Sequence, residues 1–277
     1  MARDKTQALP PPFLREIRET GGGDPQRYPY TTPLFARRPF RLAFTQPVTL
    51  LVGENGTGKS TLLEGLAVAA SMIAAGSEHT TTDKSLDSVR QFSRQLKLVW
   101  NKRTRRGFFL RAEDFFGYVK RLAQTRAELE QDLAQMKEET KGRSKLAQGL
   151  ATMPFASELH AMNNQFGRDI ATYSHGESFI EFFRARFVPD GLYLLDEPEA
   201  PLSPVRQLGF LSLLKQMVGQ GGQFIIATHS PIMLAYPEAV ILSCDERPIR
   251  PVPYDSLEHV TLTRDFLNNP EAFLRYL

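Results

Sequence analysis

Short apolar runs alternate along this chain with longer amphipathic ones. Val48–Val52, Gly191–Leu195 and Gln223–Ala227 are largely apolar and have the length of buried strands. Phe40–Phe44 is a further strand, and Phe13–Arg18 reads as a strand or a short helix ahead of the flexible turn Gly21–Gly23. Helical spacing runs from Lys59 to about Ala75, over Phe179–Phe187 and Pro204–Val218, and again from Arg264 to Tyr276. Between them Ser77–Asp87 is polar and reads as a loop. Gln95–Trp100 and Gly107–Arg111 predict a hairpin whose turn holds Lys102, Arg103, Arg105 and Arg106; a second hairpin is predicted over Val240–Pro253. Strands alternating with helices predict an α/β fold, a mainly parallel sheet flanked by helices with an antiparallel β portion.

One stretch breaks the alternation. From Val119 to about Glu139 the composition turns to Ala, Leu, Glu, Gln, Lys and Arg. Val119, Leu122, Leu129, Leu133 and Met136 fall on heptad a and d positions, with Arg126 as the violation. The spacing predicts a helix of roughly 30 Å, paired with the weaker pattern Leu146, Leu150, Met153. The expected organisation is therefore one domain over 1–277 carrying a helical insertion at 115–172, with no internal repeat.

The candidate chemistry gathers at strand ends. Gly53-Glu54-Asn55-Gly56-Thr57-Gly58-Lys59-Ser60-Thr61 contains the GxxxxGK[ST] pattern, placed between an apolar strand and an apolar helix. Its glycines let successive backbone N–H groups turn toward phosphate oxygens, and the helix start adds its positive end. Lys59 is then expected on the β- and γ-phosphates and Ser60 on Mg2+. The strand Gly191–Leu195 delivers Asp196 and Glu197, and adjacent carboxylates there are costly without a cation. Asp196 suits the metal and Glu197 an attacking water. Ser174-His175-Gly176-Glu177 precedes a helix that Ser174 can cap, and His229 follows the strand Gln223–Ala227.

Those four elements, in that order from Val48 to Pro231, resemble the P-loop NTPases of ABC ATPase type. Ser174 and Gly176 match the signature usually written LSGGQ, and His229 resembles the switch histidine that senses the γ-phosphate. The words PFLREI, GFFLRAEDFF, SHGESF and LLDEPEAPLSP are similar to small stand-alone bacterial ATPases of the ABC and AAA type. The resemblance implies ATP and Mg2+ as cofactors, hydrolysis of ATP, and a head-to-tail homodimer. In it Ser174, His175, Gly176 and Glu177 of one copy complete the site formed by Gly53–Thr61, Asp196, Glu197 and His229 of the other.

The departures also matter. His175 replaces a signature glycine; Glu177 replaces the usual glutamine, as in the SMC and DNA-repair branch; Ser203 stands where an aspartate usually ends the loop after Glu197. No Q-loop glutamine is evident, and Glu113 stands about where it would ligate the metal. Tyr28 and Tyr30 are both candidates for stacking on adenine.

Composition adds little beyond excluding some settings. The 277 residues carry 34 Lys and Arg against 31 Asp and Glu, a balance of +3 that argues for no polyanion by itself. A single cysteine, Cys244, excludes an internal disulfide and predicts a cytoplasmic protein. Met-Ala-Arg-Asp-Lys leads into no secretory core, and Leu62–Ala75, interrupted by Glu64, is too short to span a bilayer. The leading expectation is an ATP-driven dimerising switch acting on nucleic acid or on a protein partner. The alternative is the nucleotide-binding subunit of an ABC transporter.

Overall fold

A computed structural model describes residues 12–36, 40–75, 87–166, 175–245 and 248–275. The chain opens with β1 (Leu14–Glu19), β2 (Arg41–Ala43) and β3 (Val48–Val52), then α1 (Lys59–Ala69) and α2 (Asp87–Ser93). Next come β4 (Leu96–Trp100), β5 (Gly107–Arg111), α3 (Ala112–Glu139), α4 (Lys145–Phe166) and α5 (His175–Arg186). The remainder is β6 (Leu192–Asp196), α6 (Pro204–Gly219), β7 (Gln223–Ala227), α7 (Pro231–Leu234), β8 (Val240–Ser243), β9 (Arg250–Pro251), α8 (Glu258–Asn268) and α9 (Pro270–Leu274).

The six-stranded sheet has the order β5-β6-β7-β3-β8-β9 and is parallel except for β9. A smaller antiparallel sheet, β2-β1-β4, lies beside it. The large sheet is buried on both faces, as a parallel sheet requires. Val48, Leu50 and Val52 of β3 pack with Phe179, Phe183, Phe210 and Leu214 from α5 and α6. Leu51 points the other way, into a cluster with Leu62, Leu63 and Leu66 of α1 and Leu14 and Ile17 of β1. The buried side chain of Gln223 ties the sheets together, accepting from Leu14 N at 2.8 Å and donating to Leu14 O at 2.9 Å.

Four expectations need correcting. The strands flanking Lys102–Arg106 form no hairpin: β4 pairs with β1 in the small sheet, while β5 runs parallel to β6 in the large one. The reason is burial, since Phe108 and Leu110 enter one core cluster and Phe109 the other, so the strand needs cover on both faces, which the edge of the large sheet beside β6 provides. Helix α1 stops at Ala69, short of Ala75. Ser71 N donates to Val68 O, Met72 N to Ala67 O, and Ser71 takes φ 55°, a Schellman ending with serine in the usual glycine place. The chain then adds the bridge Ala74–Phe109 to the sheet edge. The last helix breaks in two because Pro270 has no N–H to continue α8; Asn269 instead accepts from Ala272 N and starts α9.

The fourth correction concerns the helical pair. Helices α3 and α4 do pack together, and α3 begins at Ala112 rather than near Val119. The inner face holds Leu129 and Leu159, both buried, with Leu133 and Met136 partly buried. Leu146, Leu150 and Met153 point outward, 74%, 62% and 63% exposed. Arg126 tolerates its a/d position by lying half-buried along the seam while its Nε donates to Glu130 at 2.9 Å. Of the strand or short helix left open over Phe13–Arg18, the strand forms, as β1, and the predicted polar loop over Ser77–Asp87 lies, except for Asp87, outside the described residues. Among the described residues no helix is long and apolar enough to cross a membrane.

Candidate functional site

Strand β3 lies between β7 and β8, so its C-terminal end opens onto the middle of the sheet. From there the chain turns through Gly53–Gly58 into α1. Gly58 has φ 108°, and a Cβ on it would meet Thr32 Oγ1 at 3.0 Å and the Leu34 Cβ and Phe35 ring at 3.2 Å, so only glycine fits. No side chain caps the start of α1, which leaves its first N–H groups open to an anion. Lys59 is buried and its ammonium donates to Gly53 O at 2.6 Å and Glu54 O at 3.0 Å, folded against the loop it belongs to. Thr57 Oγ1 donates to Glu54 O at 2.8 Å. Glu54, Asn55, Gly56 and Ser60 are exposed at the rim, while Gly53 and Thr61 are buried.

The register of the sheet brings the second half of the site to the same end. Arg111, Asp196 and Ala227 are level with one another across β5, β6 and β7. Ser60, Glu64, Arg111, Glu113, Asp196 and Glu197 line one cavity of about 410 Å3. Asp196 is buried, hydrogen-bonded to Ser60, and its Oδ1 has no partner. Burial above all, helped by Glu197 and Glu64 and opposed by the Ser60 hydrogen bond and Lys59, brings its carboxyl up to about 7. A buried carboxylate oxygen without a partner, next to an exposed hydroxyl, is an all-oxygen donor set of the kind Mg2+ takes. Among the described residues no group of three or more His, Cys, Asp and Glu could hold a metal alone. That suits an ion that draws its remaining ligands from phosphate oxygens and water.

Glu197 is exposed at the cavity and held at φ 50°, in the left-handed region that a β-carbon disfavours. Its N–H donates to Ala227 O at 2.9 Å. Glu113 lines the cavity too, with its side chain 79% exposed and 3.9 Å from Arg111 Nε. Of the two tyrosines, Tyr30 is a core ring against Phe92, whereas Tyr28 is half-exposed and its hydroxyl is 2.6 Å from Thr61 Oγ1. Tyr28 is thus the one beside the cradle.

His229 is half-buried, and burial followed by the charge of Lys59 pulls its pKa below the ordinary histidine value. Its Nε2 is buried without a partner. Glu199 fixes the backbone around it. One carboxylate oxygen of Glu199 accepts from Thr228 Oγ1 at 2.6 Å, His229 N at 2.8 Å and Ser230 N at 3.2 Å. Burial nonetheless raises the Glu199 pKa, with those hydrogen bonds working against it. Gln207 bridges the same turn to the loop after Glu197, accepting from Ser230 Oγ and donating to Leu202 O at 3.1 Å. Ser203 makes no capping hydrogen bond at the start of α6.

The signature residues are the least visible. Ser174 lies outside the described residues; His175, Gly176 and Glu177 are placed at the first turn of α5, and nothing further is described of their side chains.

Several functional neighbours escape a reading of the sequence. Glu64 and Arg111 form an ion pair at 2.9 Å, nearly buried, on the cavity wall. Asp245, after β8, accepts from Glu54 N at 2.8 Å. His259 of α8 places its ring 6.5 Å from that of His229, and its Nε2 is also buried without a partner. Arg111 and Glu199 stand within the words GFFLRAEDFF and LLDEPEAPLSP, so a signal existed for them. For Asp245 and His259 only the fold supplies the proximity.

A family model described as an AAA domain matches residues 34–77, from the turn ahead of β2 through the cradle and α1. No curated protein matches the chain. Among solved structures the chain is similar to a metal-chelate type ABC transporter in an inward-facing conformation, at 17% identity and TM-score 0.45, over 91% of this chain and 88% of that one. It is also similar to the Smc head domain of Pyrococcus furiosus bound to the C-terminal domain of ScpA, at 12% identity and TM-score 0.46, over 92% and 99%. A nucleotide-free ATP-binding cassette from an ABC transporter is similar at 15% identity and TM-score 0.42, over 95% and 99%.

Proposed function

We propose that this chain binds ATP with Mg2+ at the ends of β3 and β6 and hydrolyses it to ADP and phosphate, as an ABC-type ATPase acting between two copies of itself. The observation that carries the reading is the buried, unpartnered Asp196 oxygen beside Ser60, in the cavity next to the cradle that holds Lys59.

In this reading the N–H groups of Gly56–Thr61 and the Lys59 ammonium hold the phosphates. Lys59 exchanges its loop carbonyls for phosphate oxygens. Ser60 and Asp196 hold the ion, with Glu113 beside them, and Mg2+ when bound offsets charge on the β- and γ-phosphate oxygens. Glu197 orients the attacking water and takes its proton. His229, close enough to Lys59 to feel its charge, is the γ-phosphate contact, its depressed pKa keeping it a neutral donor or acceptor at neutral pH. Ser174 to Glu177 of the second copy close the site, the last three of them from the first turn of its α5. The protein is then a cytoplasmic switch that acts on nucleic acid or on a protein partner, with Gln207 joining the two loops where Ser203 replaces the usual aspartate.

The test is steady-state ATP turnover with Mg2+ by the full chain and by two variants. Lys59→Ala is expected to lose ATP binding, and Glu197→Gln to bind ATP with turnover reduced by on the order of 100-fold or more. Turnover in Glu197→Gln equal to that of the parent chain sinks the catalytic assignment.

A further inference from the structure

The basic segment between β4 and β5 crosses from the small sheet to the large one, and it is held at both ends. Asn101 N donates to Phe13 O at 2.8 Å and its side chain to Pro12 O at 2.9 Å. Thr104 Oγ1 donates to Asp190 O at 2.9 Å and accepts from Arg106 N at 3.1 Å. At Gly107 (φ 109°) a Cβ would fall 1.8 Å from Leu192 O, so the chain enters β5 pressed against β6. The segment is a fixed strut, not a loose turn.

Between this strut and the far end of α1 lies a cavity of about 370 Å3, within the size range of small-ligand sites. Arg103, Arg105 and Arg106 line it together with Trp100, and among the described residues no carboxylate does. Arg106 reaches Pro189 O at 3.3 Å; Arg103 and Arg105 are exposed and have no ion pair among the described residues. The carbonyl end of α1 also faces this cavity through Ala70, but a helix terminus offers only about half a negative charge against three guanidiniums. The surplus is positive. An anion with a flat apolar part satisfies both features, since guanidiniums pair with phosphate in fork geometry and a tryptophan face stacks on a base.

We propose that this cavity binds a phosphate-bearing nucleotide unit, phosphate against Arg103 and Arg105 and base against Trp100, offered either by single-stranded nucleic acid or by a free mononucleotide. It shares no lining residue with the cavity at Asp196, so it stands or falls independently of the ATPase reading.

Trp100 is the only tryptophan in the chain, which makes intrinsic fluorescence a reporter of this one place. The full chain, without ATP or Mg2+, is titrated with a twelve-nucleotide oligothymidylate and with uridine monophosphate, at low and at moderate salt. Saturable quenching that weakens as salt rises is expected, together with an affinity at least about tenfold lower in Arg103→Glu/Arg105→Glu. Quenching by the oligonucleotide at far lower concentration than by the monophosphate assigns the site to single-stranded nucleic acid; equal response per phosphate assigns it to free nucleotide. No fluorescence change with either ligand at low salt, or unaltered affinity in the double variant, overturns the proposal. Both arginines lie away from the Asp196 cavity, so basal ATP turnover of the double variant should match the parent chain. A parent chain that binds the oligonucleotide but turns over no ATP counts against the ATPase reading alone.

Discussion

The strand ends around Asp196 and the helical pair α3–α4 are built on opposite principles. At the strand ends each functional residue is fixed by buried backbone: β3, β6 and β7 are buried along their whole length, and Lys59, Thr57, Thr61 and Asp196 are buried with them. The helical pair buries mainly Leu129 and Leu159 between its members and turns Leu146, Leu150 and Met153 outward. Polar chemistry held in a dense interior carries large penalties for any change, because a buried group without its partner loses its full solvation. A pair packed by a thin seam gives way locally at small cost.

The largest effect that sharpens this contrast is catalytic. Glu197→Gln should reduce ATP turnover by on the order of 100-fold or more while leaving the thermal midpoint nearly unchanged, because Glu197 is exposed and its backbone hydrogen bond survives. Scanning fluorimetry beside a phosphate-release assay checks both halves.

That division also explains what could be read from the sequence. Local backbone patterns announce themselves: GxxxxGKS needs its strand and helix as immediate neighbours, so Gly53–Thr61 and the strand before them were legible residue by residue. Asp196 and Glu197 stood out because paired carboxylates at the end of an apolar run are costly without a cation. The strand pairings were not legible. Phe108–Leu110 and Leu96–Trp100 looked like one hairpin because a short intervening turn is a local signal, while their true partners, β6 and β1, are distant in sequence. The outward turn of Leu146, Leu150 and Met153 escaped for a related reason. Helical spacing tells which residues share a face, and only the contact with α3 tells which face is inside. His259 and Asp245 reach the site through α8 and the loop after β8, placements that no spacing encodes.

Next in size is a pH effect at Asp196. Its carboxyl rises to about 7 in the folded chain from an ordinary value near 3.8, so folding favours the protonated form. That contribution is fully present below about pH 4 and is lost as pH rises through 7. In EDTA, Asp196→Asn should therefore melt higher than the parent chain at pH 8, by an amount corresponding to a few kcal/mol at most, and the gap should close toward pH 4. Saturating Mg2+ should narrow it at pH 8. A gap independent of pH from 4 to 8 contradicts the burial assigned to this carboxylate.

Smaller again is the effect at Glu199. Glu199→Ala strands the N–H group of His229 and the Thr228 hydroxyl, while Ser230 N keeps its bond to Thr228 Oγ1, at a cost of about 1–3 kcal/mol, with turnover falling alongside because His229 loses its fixed backbone. Urea denaturation and the turnover assay should move together. A stability loss without loss of turnover would make Glu199 structural only.

The helical pair gives the smallest changes and tests the contrast from its other side. Leu159→Ala should raise amide exchange over α3 and α4 and cost about 2 kcal/mol, whereas Leu150→Ser on the outer face should stay within roughly 0.5 kcal/mol. Exchange measured by mass spectrometry should leave β3 and β6 protected in both variants. Spread of the Leu159→Ala effect into those strands would show that the two regions are one cooperative unit.

The central claim is that a triphosphate on Lys59 is closed over by the α5 tip of a second molecule. The most direct measurement is the solution mass of Glu197→Gln by size exclusion with light scattering, with and without saturating MgATP. The account predicts a doubling of mass with MgATP, abolished by adding Lys59→Ala. A mass that stays monomeric in saturating MgATP, with ATP shown to be bound, contradicts it.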